Sequence, residues 1–359
     1  MKYTADFETA TWLKDETFVW AWAVCEIGNE EKIEIGNSID SFMEFCYNSK
    51  NSTFYFHNLK FDGEFIIYYL LKNGFQHILN KKEAKEKTFT TLISDMGQFY
   101  QIEVYFYKKN KNVRKVTFID SLKILPFRVE EIAKSFNLPI SKLSIDYNKP
   151  RERGHELTFD ERAYIQNDVK IVALALNTLF EEKLNHMTQG SNALHNFIEI
   201  MTRSKFEHYF PQLNYDVDKD LRKSYKGGFT YLNPLYKEVD VGEGVVLDVN
   251  SLYPSVMYDK LLPFGEPFFF EGEYKYDKVY PLYIQMITCS FELKKNKIPT
   301  IQIKNSSFYI GNEYLTSSNN EIECLVLTNI DLQLFLEHYE VKDLKYIAGW
   351  KFKGIQRAF

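Results

Sequence analysis

Alternation of apolar and polar residues begins at once: Tyr3-Thr4-Ala5-Asp6-Phe7-Glu8-Thr9-Ala10 reads as a short strand. Its pleat sends Asp6 and Glu8 to one face, about 6.5 Å apart along the backbone, and Ala5 and Phe7 to the other. Val19 to Val24 is an apolar run that reads as a second strand, and Lys32 to Ile35 as a third. Ser38 is placed to cap a helix running through Phe42 and Phe45. Phe54-Tyr55-Phe56 is a short buried-type strand that ends in His57-Asn58-Leu59-Lys60-Phe61-Asp62-Gly63. An apolar helix, Phe65 to Leu71, follows, with Asp62 at its start either as an ordinary N-cap or aimed across the sheet ends toward Asp6. Residues 88 to 120 read as three strands, with Lys108 to Lys115 at the tip of a hairpin. Pro126 to Asn137 carries the helical stripe Val129, Ile132, Ala133 and Phe136, and the stretch from Leu138 to Gly154 is irregular and holds Lys142, Tyr147 and Arg151. Thr158 and Glu161 are spaced as a capping box for a long helix whose buried body is Ala163, Ile165, Val169, Val172, Ala173, Leu176 and Leu179. Tyr164 and Asp168, spaced i,i+4 on that helix, either act together or decorate its surface.

The second half is less regular. Thr188-Gln189-Gly190-Ser191 is a break, Ala193 to Phe210 is mostly helical, and Pro211 closes it. Two glycines in Tyr225-Lys226-Gly227-Gly228 suit either a plain tight turn or a loop that a phosphate backbone approaches closely. Gly244-Val245-Val246-Leu247-Asp248 has the pattern of a buried strand ending in a carboxylate, continued by a turn and short helix over Ser251 to Tyr258. Further strands are expected over 260 to 300, around Pro263, Gly265 and Pro281.

A chain of 359 residues with 45% apolar content is long enough for two domains and too apolar for disorder. Its apolar runs are too short to span a bilayer, and no charged, then apolar, leader opens it. Cys25, Cys46, Cys289 and Cys324 are widely spaced, which argues for thiols in a reducing compartment and against structural zinc. The net charge of -5 gives no overall basic excess for nucleic acid. Basic islands nevertheless stand at Lys81 to Lys87, Lys108 to Lys115 and Lys294 to Lys297, each either a track for a phosphodiester backbone or a solvated tip. With 25 Tyr and 30 Phe, many rings must pack internally while some remain to stack on bases.

Paired carboxylates such as Asp6 and Glu8 either lie solvated on an edge strand or sit together with a cation between them. Taken in order, Asp6-Phe7-Glu8, His57 to Gly63 and Tyr164-Ile165-Gln166-Asn167-Asp168 resemble the three exonuclease motifs of family B DNA polymerases. Lys142 before Ile145-Asp146-Tyr147, Tyr225-Lys226-Gly227-Gly228, and Asp248-Val249-Asn250-Ser251-Leu252-Tyr253-Pro254 narrow the resemblance to the protein-primed branch of bacteriophages, over residues 3 to about 351.

The resemblance implies an α/β fold: an RNase-H-like DEDD exonuclease domain over 1–187, a connecting helical segment over 188–220, an incomplete α+β palm over 221–299 and an insertion-like region over 300–359, beginning Ile301-Gln302-Ile303-Lys304. It implies 3'-5' proofreading within a DNA-directed DNA polymerase of viral replication. Asp6, Glu8, Asp62 and Asp168 would bind Mg²⁺, or Mn²⁺ in its stead, with Lys142 and Tyr164 assisting. Thr9, Asn58, Phe61, Ser121 and Leu122 would hold the 3' end of single-stranded DNA. Tyr225, Gly227 and Gly228 would contact template-primer DNA, Asp248 would bind the polymerase cations, and Ser251, Leu252 and Tyr253 would face a dNTP. A priming terminal protein and the cytoplasm of a bacterial host complete the expectation. No Tyr-x-Asp-Thr-Asp-Ser segment and no Lys-x-x-x-Asn-Ser-x-Tyr-Gly helix occurs in the chain. It therefore resembles the N-terminal part of such a polymerase: a truncated gene, a partial sequence, a stand-alone exonuclease or the DNA- or primer-protein-binding half of a split enzyme.

Overall fold

The computed structural model describes residues 1–13, 15–49, 51–109, 112–303 and 313–356. Two compact units, Met1–Phe197 and Ile198–Phe359, make up the chain. No helix among the described residues is long and apolar enough to cross a membrane.

The first unit is built on eight strands: β1 (Lys2–Thr9), β2 (Val19–Glu26), β3 (Asn29–Gly36), β4 (Thr53–Phe56), β5 (Gln76–His77), β6 (Thr88–Ile93), β7 (Phe99–Lys109) and β8 (Asn112–Asp120). They lie in the order β3-β2-β1-β4-β8-β7-β6-β5. β1 is antiparallel to β2 but parallel to β4, and β4 is parallel to β8. Asp6 and Glu8 thus stand on a central strand, which removes the solvated-edge reading. Helices α1 (Ile39–Asn48) and α2 (Leu59–Lys72) cover one face; α3 (Val129–Ser135) and α4 (Phe159–Glu181) cover the other. The pleat of β1 decides which residue goes where. Tyr3, Ala5 and Phe7 pack with Phe42, Phe54, Phe56, Leu59 and Ile66 on the α1–α2 side. Thr4 faces α4 and donates to the Val169 carbonyl at 2.8 Å, so Asp6 and Glu8, two and four residues on, face α4 as well.

Local signals place most of these elements. The Ser38 hydroxyl accepts from Ser41 N at the start of α1, and Thr158 and Glu161 close the expected capping box of α4. The expected hairpin is β7–β8, and its tip residues 110 and 111 lie outside the described residues. α2 departs from expectation. It begins at Leu59 with Asn58, in left-handed conformation, at its N-cap, so Asp62 lies one turn inside rather than capping. Its start is held by Asp120 from the end of β8, whose Oδ1 accepts from the backbone N–H of Asn58, Leu59 and Leu122 at 3.1, 3.3 and 3.0 Å.

The second unit contains α5 (Gln189–Met201), which begins in the first, then α6 (Arg203–Tyr209), α7 (Tyr215–Arg222), α8 (Leu252–Asp259) and α9 (Asn329–His338). Its antiparallel sheet joins β9 (Leu262–Glu271), β10 (Leu282–Leu293), β11 (Glu323–Thr328) and β12 (Tyr339–Ile355) in the order β11-β10-β12-β9. Ile287, Phe291, Leu325, Leu327, Phe335 and Tyr339 form its core. The sheet runs across residue 300, because β10 pairs on both sides with strands that follow it by many residues. Ile301, Gln302 and Ile303 begin the insertion-like stretch as described residues, whereas Lys304 lies outside them.

Gly244 to Asp248 is not a strand. Val245, Val246 and Leu247 are 83%, 98% and 88% exposed. An extended apolar run gains stability only by pairing its backbone and covering a face, and among the described residues no strand is registered against it. Each basic island has members held by intramolecular partners among the described residues. Lys81 and Lys115 both pair with Glu103, while Lys294 and Lys297 bind the C-terminal turn of α9 through the Leu336 and Glu337 carbonyls and the Glu337 carboxylate.

Candidate active site

The cavity opens beyond the carboxyl ends of the parallel strands β1 and β4, where connecting loops splay apart and α/β sheets commonly bind ligands. It measures about 250 Å³ and is lined by Asp6, Glu8, His57, Asn58, Phe61, Asp62, Lys142, Tyr164 and Asp168. β1 supplies Asp6 and Glu8 by alternation. Asp62 comes from the first turn of α2, and Tyr164 and Asp168 come from adjacent turns of α4, buried rather than on its surface. Four carboxylates from three elements, Asp6 at one end of the set in sequence and Asp168 at the other, therefore share one space.

Crowding of like charge away from water sets their electrostatics. Burial, then Asp168, pushes Asp6 up to about 7 against the opposing pull of Lys142. Glu8 rises to about 9 through burial, then through Asp6 and Asp168. Burial and then Asp6 hold Asp62 well above the usual carboxylate range. Lys142, from the irregular segment after α3, donates from Nζ to Asp168 Oδ2 at 2.8 Å. Asp168 nevertheless stays raised, since burial outweighs what Lys142 returns; Lys142 is itself raised, the Asp168 bond overcoming its own desolvation.

Asp62 Oδ1 and Asp168 Oδ1 are buried with no hydrogen-bond partner among the described residues. Unsatisfied carboxylate oxygens among raised neighbours are the hard donors that a divalent cation takes, and a cation would relieve both the repulsion and the missing bonds. The donor set therefore fits Mg²⁺ or Mn²⁺. As the side chains stand, no three His, Cys, Asp or Glu groups among the described residues close around one point, so the carboxylates share the cavity without touching a common centre.

Tyr164 Oη meets Tyr147 Oη at 2.6 Å, the rings edge to face. Burial, then Glu8 and Asp168, raises the Tyr164 phenol, so it acts here as a neutral hydroxyl. Phe61 is 49% exposed at the cavity. Thr9, Ser121 and Leu122 do not line it. Ser121 is fully buried, its hydroxyl donating to the Phe56 carbonyl at 3.0 Å and standing 3.1 Å from His57 Nδ1.

Three residues that sequence reasoning did not assign to the site are drawn in. His57 lines the cavity, its Nε2 2.7 Å from the Phe127 carbonyl, and burial lowers its pKa so that a neutral ring is favoured. Tyr147 is the partner of Tyr164, and Asp120 aims α2. The motif stretch His57 to Gly63 contained the first, and Ile145-Asp146-Tyr147 after Lys142 contained the second without giving it a role; nothing local marks Asp120.

The second unit does not assemble its sequence-expected residues into a comparable cavity. Asp248, Ser251, Leu252, Tyr253, Gly227 and Gly228 all lie on exposed stretches, and Tyr253 is 72% exposed. One pair does come together: a Cβ at Gly228 would lie 3.7 Å from the Tyr253 hydroxyl. Tyr225 lines a separate cleft with Arg222, Lys223 and Lys226 against β10 and β11.

Comparison with known proteins gives a consistent result. Residues 43–359 match the family model of DNA polymerase type B, organellar and viral. The chain is 49% identical over 357 residues to the DNA polymerase of Bacillus phage PZA, and 32% identical over 373 residues to that of Streptococcus phage Cp-1. It is covered to 99% and 98% in these matches but spans 62% of the length of each relative. Among solved structures it is similar to phi29 DNA polymerase complexed with primer-template DNA and incoming nucleotides, with a TM-score of 0.91 and 47% identity over 99% of this chain and 62% of that one. It is likewise similar to phi29 DNA polymerase complexed with single-stranded DNA, with a TM-score of 0.87 and 46% identity over 99% of this chain and 61% of that one.

Proposed function

The chain belongs to the organellar and viral type B DNA polymerases, and from that premise we propose that its first unit, an RNase-H-like domain, is a metal-dependent 3'-5' exonuclease acting on the end of single-stranded DNA. The observation that carries this reading is the cavity itself: four carboxylates with raised pKa values, two of them with unpartnered buried oxygens, beside Lys142 and Tyr164. Asp6, Glu8, Asp62 and Asp168 would hold Mg²⁺ or Mn²⁺, which supplies an acidified water and neutralises charge on the leaving oxygen. Tyr164, fixed by Tyr147, orients the nucleophile through its neutral hydroxyl. Lys142 keeps its charge and stabilises the negative charge that builds on the phosphoryl group. Phe61 offers an open ring face for a terminal base and Asn58 a polar contact beside it, with Thr9 and Leu122 as further contacts and Ser121 acting through His57.

For the second unit we propose a part in DNA synthesis during viral replication in the bacterial cytoplasm. Asp248 would serve as one carboxylate of the polymerase metal site, Ser251, Leu252 and Tyr253 would face the dNTP, and Tyr225, Gly227 and Gly228 would contact template-primer DNA. A priming terminal protein is the partner expected for the insertion-like region. The complexes in which the similar phi29 polymerase has been solved, with single-stranded DNA and with primer-template and nucleotides, support both readings.

The test is the Asp6→Ala/Asp62→Ala double variant. It should bind single-stranded DNA as the parent does while its Mg²⁺-dependent hydrolysis falls by at least ~100-fold, as expected when several kcal/mol of transition-state stabilisation are removed. Hydrolysis that survives the double substitution and still needs the metal would sink the assignment.

A further inference from the structure

We propose that Arg151, gripped by Glu161, is a positioning residue that holds the irregular segment 141–157 against α4 so that Tyr147 reaches Tyr164. The activity arm of this inference rests on the exonuclease reading of the cavity; the geometric arm does not.

Arg151 is only 4% exposed, and arginine is seldom buried unless it is paired. Its Nε donates to Glu161 Oε1 at 2.8 Å, and its Nη1 donates to the carbonyls of Asp146 and Lys149, both at 2.9 Å. Those two carbonyls flank Tyr147-Asn148, so the guanidinium clasps the turn that presents Tyr147. The guanidinium also lies over the Trp20 ring at 4.4 Å, which fixes its plane. Glu161 Oε2 meanwhile accepts from Thr158 N at 3.0 Å and lies 2.8 Å from His155 Nε2. Burial alone would raise the Glu161 carboxyl, but these bonds and that of Arg151 bring it down to about 2, leaving a permanent anion for the guanidinium.

The arrangement is directional. Glu161, Tyr164 and Asp168 lie i, i+3 and i+7 along α4, on one stripe. One rigid helix therefore carries the tether, the tyrosine and the carboxylate, and the segment is registered against all three at once. Its other end is tied by Asn167, which donates to the Ser141 carbonyl beside Lys142. Thr11 adds a bond to the Tyr147 carbonyl at 3.1 Å. A buried ion pair is weak evidence for stability in itself, whereas a planar fork on two carbonyls and one carboxylate specifies where the backbone goes. Lysine, a single point charge, cannot reproduce that fork.

The experiment compares Arg151→Lys in the parent chain and in a Tyr147→Phe background, measuring nucleotide release from single-stranded DNA and backbone hydrogen exchange. Arg151→Lys should lower kcat by about tenfold or more, the scale of losses from a displaced catalytic group, with KM little changed. In Tyr147→Phe the same substitution should cost less than about twofold more, because the contact through which Arg151 acts is already gone. Exchange should rise over residues 141–153 and stay unchanged in β1 and α2. Loss of folded enzyme would lower kcat equally in both backgrounds, so an additive loss overturns the proposal, as does unchanged exchange over 141–153. If Arg151→Lys fails to fold, Arg151→Met, which keeps the stem packed on Trp20, replaces it under the same criteria. If the parent chain releases no nucleotide, the exonuclease reading fails, and the exchange result alone then upholds or overturns the positioning role.

Discussion

At the scale of single residues, Asp6 and Glu8 make a claim about pH. Their usual values are 3.8 and 4.5, and the fold raises them to about 7 and about 9. Below the usual values both folded and unfolded chains hold these protons, so nothing is lost. Between there and the raised values the folded chain binds protons that the unfolded chain has released, and stability falls as pH rises. Asp6→Asn should therefore stabilise the metal-free protein by on the order of 2 kcal/mol at pH 8 and by little at pH 4. Urea melts in EDTA at the two pH values check this; an equal effect at both would contradict it. Added Mg²⁺ should stabilise the parent at pH 8 and lose most of that effect in the variant, since ligation replaces the protons. Phe61 makes a second claim. A stacked base is worth about 1–3 kcal/mol, so Phe61→Ala should weaken single-strand affinity by roughly tenfold and duplex affinity far less. Equal loss on both substrates, measured by titration, would return Phe61 to a packing role.

At the scale of elements, the sequence was most legible where the signal is local. The β1 alternation, the Ser38 cap and the Thr158/Glu161 box depend on residues within a few positions of each other, and all three stand as expected. The start of α2 was misplaced because its true support, Asp120, arrives from β8, more than fifty residues later in the chain. Tyr147 is visible in the sequence as part of Ile145-Asp146-Tyr147, but its pairing with Tyr164 is not, for the same reason: its position depends on Arg151 and α4 rather than on its neighbours. Gly244 to Asp248 shows the converse, since a strand pattern is local but a strand needs a partner. The Asp120 hub is testable. Asp120→Ala leaves three backbone N–H groups without their acceptor and should cost about 1–3 kcal/mol in thermal or urea melts. Because α2 carries Asp62, the same variant should lose metal-dependent activity and gain hydrogen exchange over 57–62. A variant that lost stability but kept full activity would show that Asp120 does not aim the helix.

At the scale of the molecule, the carboxylate cavity lies wholly within Met1–Phe197, which has its own sheet and its own apolar clusters. A polypeptide of those residues should fold and carry the proposed exonuclease activity by itself. In a polypeptide of all 359 residues given, hydrogen exchange should be slow in β1, β4 and β8 and fast over 228–251, where side chains are exposed and no strand among the described residues is registered. Incubated with primed template, dNTPs and Mg²⁺, a chain with Asp248 but no Tyr-x-Asp-Thr-Asp-Ser segment should shorten the primer rather than lengthen it. If the first unit is the proposed exonuclease, it removes nucleotides from the 3' end of a single strand. The most direct test is a pair of otherwise identical strands labelled at opposite ends and incubated with the protein and Mg²⁺. The 3'-labelled strand should release its label as a mononucleotide in the first turnovers, while the 5'-labelled strand shortens one step at a time. Immediate release of the 5' label, or internal cuts of both strands without a mononucleotide, would contradict the account.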